Sequence, residues 1–119
     1  MISIALGEPY HRELSSRLSR LEGLFSSNLL EADLRAAVAR EGEKPGGVKD
    51  IVAWMNWVYP YRPLTPEFRR VLDVGLLKGS DLWHVACALF MRRKFPDIRF
   101  VTTDGRQGEI ARSLGFRGL

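Results

Sequence analysis

Cysteine and long apolar runs are both scarce in this chain of 119 residues. The single cysteine, Cys87, allows no internal disulfide and no cysteine-based zinc site, which is typical of a reducing compartment. Apolar stretches are interrupted by charge or glycine within about a dozen residues, well short of the roughly 20 that cross a bilayer. The apolar start, Met1 to Leu6, has no preceding basic residues and is too short for a signal-peptide core. We therefore expect one cytoplasmic domain over residues 1–119, without membrane contact.

Lysine is also sparse, because 14 of the 18 basic residues are arginine. The net charge is +4, and the planar guanidinium group of arginine suits phosphate. This balance favours a nucleic-acid partner. A modest positive charge is equally typical of solvated helix faces, so the composition leaves both interpretations open.

The spacing of apolar residues predicts helices that alternate with short strands. The predicted helices cover Pro9–Leu21, Leu29–Arg40, Val48–Trp57, a segment that begins at Thr65, Asp81–Arg93 and Gln107–Leu114. The predicted strands cover Leu24–Phe25, Val58–Tyr59 and Arg99–Thr103. Such alternation is typical of a parallel sheet covered by helices on both faces, a three-layer α/β/α fold.

Three acidic residues fall where predicted strands end or the following helices begin. Asp33 lies in the opening turns of the second helix, Asp81 in the first turn of the most apolar helix, and Asp104 directly after the last strand. In a parallel sheet these positions lie along one edge, where ligands usually bind. Clustered carboxylates repel one another unless a cation neutralises them, and oxygen ligands suit Mg²⁺ or Mn²⁺. Because such an ion can activate water against a phosphodiester, the pattern predicts metal-dependent hydrolysis of RNA.

Each of the three acids also has a purely structural interpretation. Asp81 could favour a helix N-terminus through the macrodipole, and Asp104, which precedes a glycine, could be a turn residue. Asp33 could be a solvated helix residue, with Glu31 as a rival ligand. The sequence leaves these alternatives open.

Several stretches carry a family resemblance. The clearest are Gly79–Leu89 (GSDLWHVACAL), Phe100–Asp104 (FVTTD) and Ala111–Phe116 (ARSLGF), with support from Leu6–Pro9 and Ser27–Arg40. In these stretches the chain resembles the PIN-domain ribonucleases, particularly the VapC-type toxins of bacterial toxin–antitoxin pairs. The resemblance extends over nearly the whole chain.

The resemblance implies a role for each residue that matches the family's motif. Asp33 corresponds to the second acidic position, where Glu is more usual, and Asp81 and Asp104 correspond to the third and fourth. These residues would be catalytic and would bind Mg²⁺ or Mn²⁺, while Ser27 and Thr103 would hydrogen-bond to the carboxylates or to bound water. The implied protein is a metal-dependent endoribonuclease with RNA as substrate and an antitoxin as partner.

The match to the family fails at the start of the chain. In the family an opening strand, which lies mid-sheet, ends in an Asp shortly before the segment that corresponds to Ile2–Pro9. Here that strand and its acidic ligand are missing, so we expect a small sheet without its first strand. Either the start site was placed too far downstream or the chain is a truncated homologue. Backbone groups left unpaired inside the sheet would favour a homodimer. Because the first acid is missing, the alternative function is a catalytically inactive PIN-like domain that binds protein or RNA.

Two further sets of side chains have more than one interpretation. His84 follows Asp81 by one helical turn and could bind a metal, although its apolar neighbours favour a packed core residue. Aromatic side chains can stack on unpaired RNA bases, but at helical spacing they also form cores or interfaces. The aromatic candidates are Trp54, Trp57, Tyr59, Tyr61 and Trp83.

Overall fold

The computed structural model describes residues 4–6, 24–41, 53 and 55–118. The strands are β1 (Ile4–Leu6), β2 (Leu24–Ser27), β3 (Met55–Val58) and β4 (Arg99–Val101). The helices are α1 (Leu30–Glu41), α2 (Thr65–Val74), α3 (Gly79–Arg92) and α4 (Gly105–Ser113). None of these four helices is long and apolar enough to cross a membrane.

The four strands form one parallel sheet in the order β3-β2-β1-β4, which confirms the predicted α/β class with a small parallel sheet. β1 lies inside this sheet. Its residue Ala5 is opposite Phe25 of β2 on one side and opposite Phe100 of β4 on the other. The expectation of a sheet without an inner strand is therefore corrected, because Ile4–Leu6 fills that position and pairs backbone groups that would otherwise be left open.

β3 occupies residues for which the spacing predicts the end of a helix over Val48–Trp57. The strand pairs with β2 over its whole length, and its end residues Met55 and Val58 are buried. Pairing and burial thus override the local helical periodicity. Ala53 is helical, while the rest of that predicted helix lies outside the described residues, as does the predicted helix over Pro9–Leu21.

Helix α3 forms the centre of the core, as its composition predicts. Its six consecutive residues from His84 to Leu89 are all buried, so neighbouring elements cover the helix on most sides. The main cluster joins α3 to α2, β4, α4 and the segment after it through Val71, Val85, Ala88, Leu89, Ile98, Phe100, Ile110, Ala111, Leu114 and Phe116. Burying each large apolar side chain contributes about 1.5–3 kcal/mol, so this cluster anchors α3 and α4 against β4.

The segment after α4 covers the outer edge of β4. Gly115 turns the chain with a φ of +95°, a conformation that favours glycine. Beyond that turn, the amide of Phe100 donates a hydrogen bond of 2.9 Å to the carbonyl oxygen of Arg117. The ring of Phe116 is buried 6.0 Å from that of Phe100, and the Arg92 guanidinium lies 4.4 Å above it. The segment after α4, which we call the tail, therefore pairs part of the β4 backbone that faces away from β1.

Candidate acidic site at the carboxyl ends of the strands

Asp104 caps the N-terminus of α4, directly after β4. Its Oδ1 accepts a hydrogen bond of 2.8 Å from the amide of Gln107, and its own amide donates a bond of 3.1 Å to Thr102 Oγ1. The first bond satisfies one of the amides that a helix leaves free in its first turn. Asp104 therefore has a structural role in addition to its position at the end of β4.

Gln107 joins the two segments that carry Asp104 and Asp81. Its side chain is fully buried, with 0% exposure. The Oε1 atom accepts a bond of 2.7 Å from Thr102 Oγ1, and Nε2 donates a bond of 3.2 Å to the carbonyl oxygen of Asp81. One side-chain amide thus fixes the start of α4 to the first turn of α3, and the two acidic segments meet at the same edge of the sheet.

Sequence analysis missed Gln107, although a signal for it was present. Asp104 stands at the N-cap and Gln107 at the third helical position, which is the spacing of a capping box. That spacing indicates a local bond between the two residues. The bond to Asp81 depends on how α3 packs against α4, so local spacing does not predict it.

His84 connects α3 to β2. Its Nδ1 and Ser27 Oγ share a hydrogen bond of 2.5 Å, in which the donor depends on the imidazole tautomer. Burial lowers the pKa of His84, while the charges of Asp81 and Asp33 oppose that shift. Only 3% of His84 is exposed, which confirms a packed residue. Among the described residues Ser27 therefore contacts an imidazole, whose pKa the two candidate acids also affect.

Glu31, the rival of Asp33 at the start of α1, is engaged in other contacts. Its carboxylate accepts a bond of 2.7 Å from Arg35 and one of 2.8 Å from the hydroxyl of Tyr59. The bond from Arg35, followed by that from Tyr59, lowers the pKa of Glu31. Because a ligand at Glu31 would displace both bonds, the exposed Asp33 is the more accessible carboxylate of the two.

Within the described residues, no three His, Cys, Asp or Glu side chains converge closely enough to hold a metal ion. Asp33, Asp81 and Asp104 therefore do not form a closed cage, because Asp104 caps its own helix and Asp33 is exposed on α1. Thr103 is exposed beside Asp104. Mg²⁺ is often held by one or two carboxylates and completed by water and substrate phosphate oxygens. Asp81 and Asp104, whose segments meet at Gln107, have the oxygen-donor chemistry of that kind of site.

Comparison with known proteins bears on the fold. No protein-family model and no curated protein matches the sequence. The structure is similar to a chain in the structure of VapBC-1 from nontypeable Haemophilus influenzae, with a TM-score of 0.61 and 14% sequence identity. The comparison covers 100% of this chain and 97% of that chain. At this identity the likeness shows the fold alone, and the chain thus has an α/β fold similar to that of the VapBC-1 chain.

Proposed function

We propose that this chain is a PIN-type, metal-dependent endoribonuclease that forms one domain over residues 1–119. The observation that carries the proposal is the junction at Gln107, which brings the segments of Asp81 and Asp104 together beside the carboxyl end of β4. Burial lowers the pKa of His84, and the charges of Asp81 and Asp33 both oppose that shift, which agrees with a common edge for the two carboxylates. The fold shared with a VapBC-1 chain agrees with this class of function.

Mg²⁺ or Mn²⁺ is the cofactor that these carboxylates suit. Asp81 and Asp104, whose segments meet at Gln107, would hold the ion together with a phosphate oxygen of the RNA, and Asp33 would reach it through a bound water molecule. When bound, such an ion makes water a better nucleophile at neutral pH and stabilises charge on a phosphodiester. The chain itself contributes position, because Gln107 fixes the two acidic segments and His84 holds α3 against β2. Arginines on the surface that faces the RNA would supply positive charge for its backbone.

Cleavage of a labelled, unstructured RNA in the presence of Mn²⁺ tests the proposal. We expect activity that EDTA abolishes and that Asp81→Asn lowers by about 100-fold or more, since the amide no longer carries the charge that binds the cation. The matched control is Asp73→Asn, which changes an exposed acid at the end of α2 and should cleave like the wild type. Activity that survives Asp81→Asn unchanged removes the proposed site.

A second candidate function is a non-catalytic PIN-like domain that binds RNA or protein. It is favoured by the absence, within the described part of the chain, of three acidic, His or Cys side chains close enough for a metal. Calorimetry separates the two functions. For the nuclease we expect Mn²⁺ binding that tightens when a non-cleavable RNA analogue is present, because phosphate oxygens complete the site. RNA binding that is indifferent to Mn²⁺, without cleavage, favours the non-catalytic domain.

The partners are a further part of the proposal. The sequence resembles VapC-type toxins and the structural neighbour bears the name VapBC-1, so we propose a cytoplasmic antitoxin protein as partner. A homodimer is the proposed oligomeric state, although β1 already pairs the inner backbone and removes one reason for it. Light scattering after size exclusion should give twice the chain mass of 13.5 kDa. The mass of a single chain at micromolar concentration contradicts the dimer.

A further inference from the structure

A groove with a volume of about 650 Å³ lies between β3 and the C-terminal end of α3. We refer to it as the aromatic groove. It is lined by Phe25, Asn56, Trp57, Val58, Tyr59, Tyr61, Phe90, Met91, Arg93, Lys94 and Phe95. Six of these eleven side chains are aromatic, so the groove differs in chemistry from the acidic edge.

Two of the rings in the aromatic groove are exposed to an unusual degree. The exposed fraction is 83% for Tyr61 and 64% for Tyr59. The ring of Tyr61 contacts that of Phe90 edge-on, with 5.3 Å between centroids, and most of its surface stays open. Trp83, another aromatic candidate, is instead engaged in structure, because its Nε1 donates a bond of 3.2 Å to Asn28 Oδ1. The structure thus assigns the open aromatic surface to the groove.

The charged residues that line the aromatic groove are all basic. Its lining includes Arg93 and Lys94 and no carboxylate. Both cations are exposed, and neither forms an ion pair within the residues that the structure describes. Lys94 Nζ lies 5.8 Å from the centroid of the Phe95 ring. Open rings beside exposed cations are the combination that binds single-stranded nucleic acid, with bases on the rings and phosphates at the cations.

One hydrogen bond links the lining of the aromatic groove to the helix that carries Asp33. The hydroxyl of Tyr59 donates a bond of 2.8 Å to Glu31, which lies two residues before Asp33 in the first turn of α1. A strand of RNA lying in the groove would therefore extend toward the proposed catalytic carboxylates. A duplex would not fit the same chemistry, because its bases are already stacked and paired.

We propose that the aromatic groove binds unpaired bases of single-stranded RNA and guides the strand toward the acidic edge. This inference rests on the proposed ribonuclease function and deepens it, since it assigns RNA binding to a named surface outside the acidic edge. Tyr61 supplies the open stacking face. Arg93 and Lys94 contact the phosphates that follow.

Fluorescence anisotropy with a labelled, unstructured RNA tests the groove in EDTA, where metal-dependent cleavage does not interfere. We expect Tyr61→Ala to weaken binding about tenfold, since stacking on one ring is lost, and Tyr61→Trp to restore it. The matched control is Leu76→Ala, which removes a side chain that is 77% exposed and does not line the groove. We expect Leu76→Ala to bind the RNA like the wild type. We also expect unlabelled duplex RNA to compete poorly with the labelled single strand.

The salt dependence of binding tests the cations separately. Arg93→Gln should reduce the slope of log affinity against log salt by about one, because one phosphate contact is lost. Arg69→Gln, an exposed arginine on α2, should leave that slope unchanged. An unchanged slope in Arg93→Gln removes that residue from the RNA path.

The outcomes distinguish this inference from the proposed function. Equal RNA affinity of wild type and Tyr61→Ala, or equal competition by duplex, overturns the groove, while cleavage that depends on Asp81 would still stand. A loss of self-association in Tyr61→Ala without a change in RNA affinity also overturns it, since the groove is then a protein contact. Base-dependent binding in the groove without any cleavage supports the groove and contradicts the nuclease.

Discussion

Replacing Gln107 by alanine should destabilise the fold and loosen the junction at the acidic edge. The substitution removes two side-chain hydrogen bonds, one with Thr102 Oγ1 and one with the carbonyl oxygen of Asp81. Each bond contributes about 1 kcal/mol net, and the lost buried methylene group adds about 0.8 kcal/mol. We therefore expect the free energy of unfolding to fall by about 2–3 kcal/mol. Urea denaturation followed by circular dichroism measures this change, and RNA cleavage should fall in parallel.

Variants of Asp104 provide the control, because they test the cap without touching the buried amide. Asp104→Asn keeps an oxygen that can accept from the amide of Gln107, so the free energy of unfolding should change by less than about 0.5 kcal/mol. Asp104→Ala loses the cap and should cost about 1 kcal/mol. A loss of under about 1 kcal/mol for Gln107→Ala, with an unchanged denaturant slope, refutes the bridging role of this residue.

The buried polar groups make further predictions. Burial lowers the pKa of His84 in the folded state, so folding favours the neutral imidazole. This contribution to the free energy of unfolding is complete above about pH 6.5 and is lost as the pH falls below that value, by at most about 1.4 kcal/mol per pH unit. In His84→Gln this part of the pH dependence of the melting temperature should disappear, and an unchanged pH profile contradicts the assignment. Burial raises the pKa of Cys87 to about 12, so iodoacetamide at about pH 8 should modify only the urea-unfolded protein, whereas rapid alkylation of the folded protein contradicts this. Ser26→Ala should leave the melting temperature unchanged or raise it, because the buried hydroxyl has no hydrogen-bond partner within the described residues; a clear decrease argues for a hidden partner. Glu67→Gln should cost about 1–3 kcal/mol in urea unfolding, since the carboxylate accepts bonds of 2.9 and 2.7 Å from Arg62, and a neutral effect contradicts that.

The sequence predicted a secondary-structure element correctly where the apolar content of the segment determines its conformation. Helix α3 begins at Gly79 and ends at Arg92, close to the predicted Asp81–Arg93, because six consecutive side chains in its middle are buried in the core. β3 was not predictable in the same way, because its strand conformation comes from pairing with β2 rather than from its own spacing. β1 spans three residues and its inner position is likewise defined by its two neighbours.

The candidate site was predictable as a location more than as a geometry. Parallel topology indicates that segments bearing Asp81 and Asp104 lie at one edge, and the bond from Gln107 joins them there. Topology does not determine where each side chain points. Asp104 caps α4, Asp33 is exposed on α1, and within the described residues no three acidic, His or Cys side chains lie close enough to hold a metal ion. Ser27 and His84 are 57 residues apart in sequence, so no local sequence pattern predicts their contact.

The short tail that lies along β4 has a consequence for solubility. Residues 116–118 supply a carbonyl oxygen to Phe100 and cover its ring, so a variant ending at Leu114 would present a bare strand flank with an uncovered aromatic side chain. Flanks of that kind recruit strands from other molecules and can nucleate fibrils. Such a shortened protein should aggregate on standing while its helical content, measured at once after dilution, is still close to that of the parent.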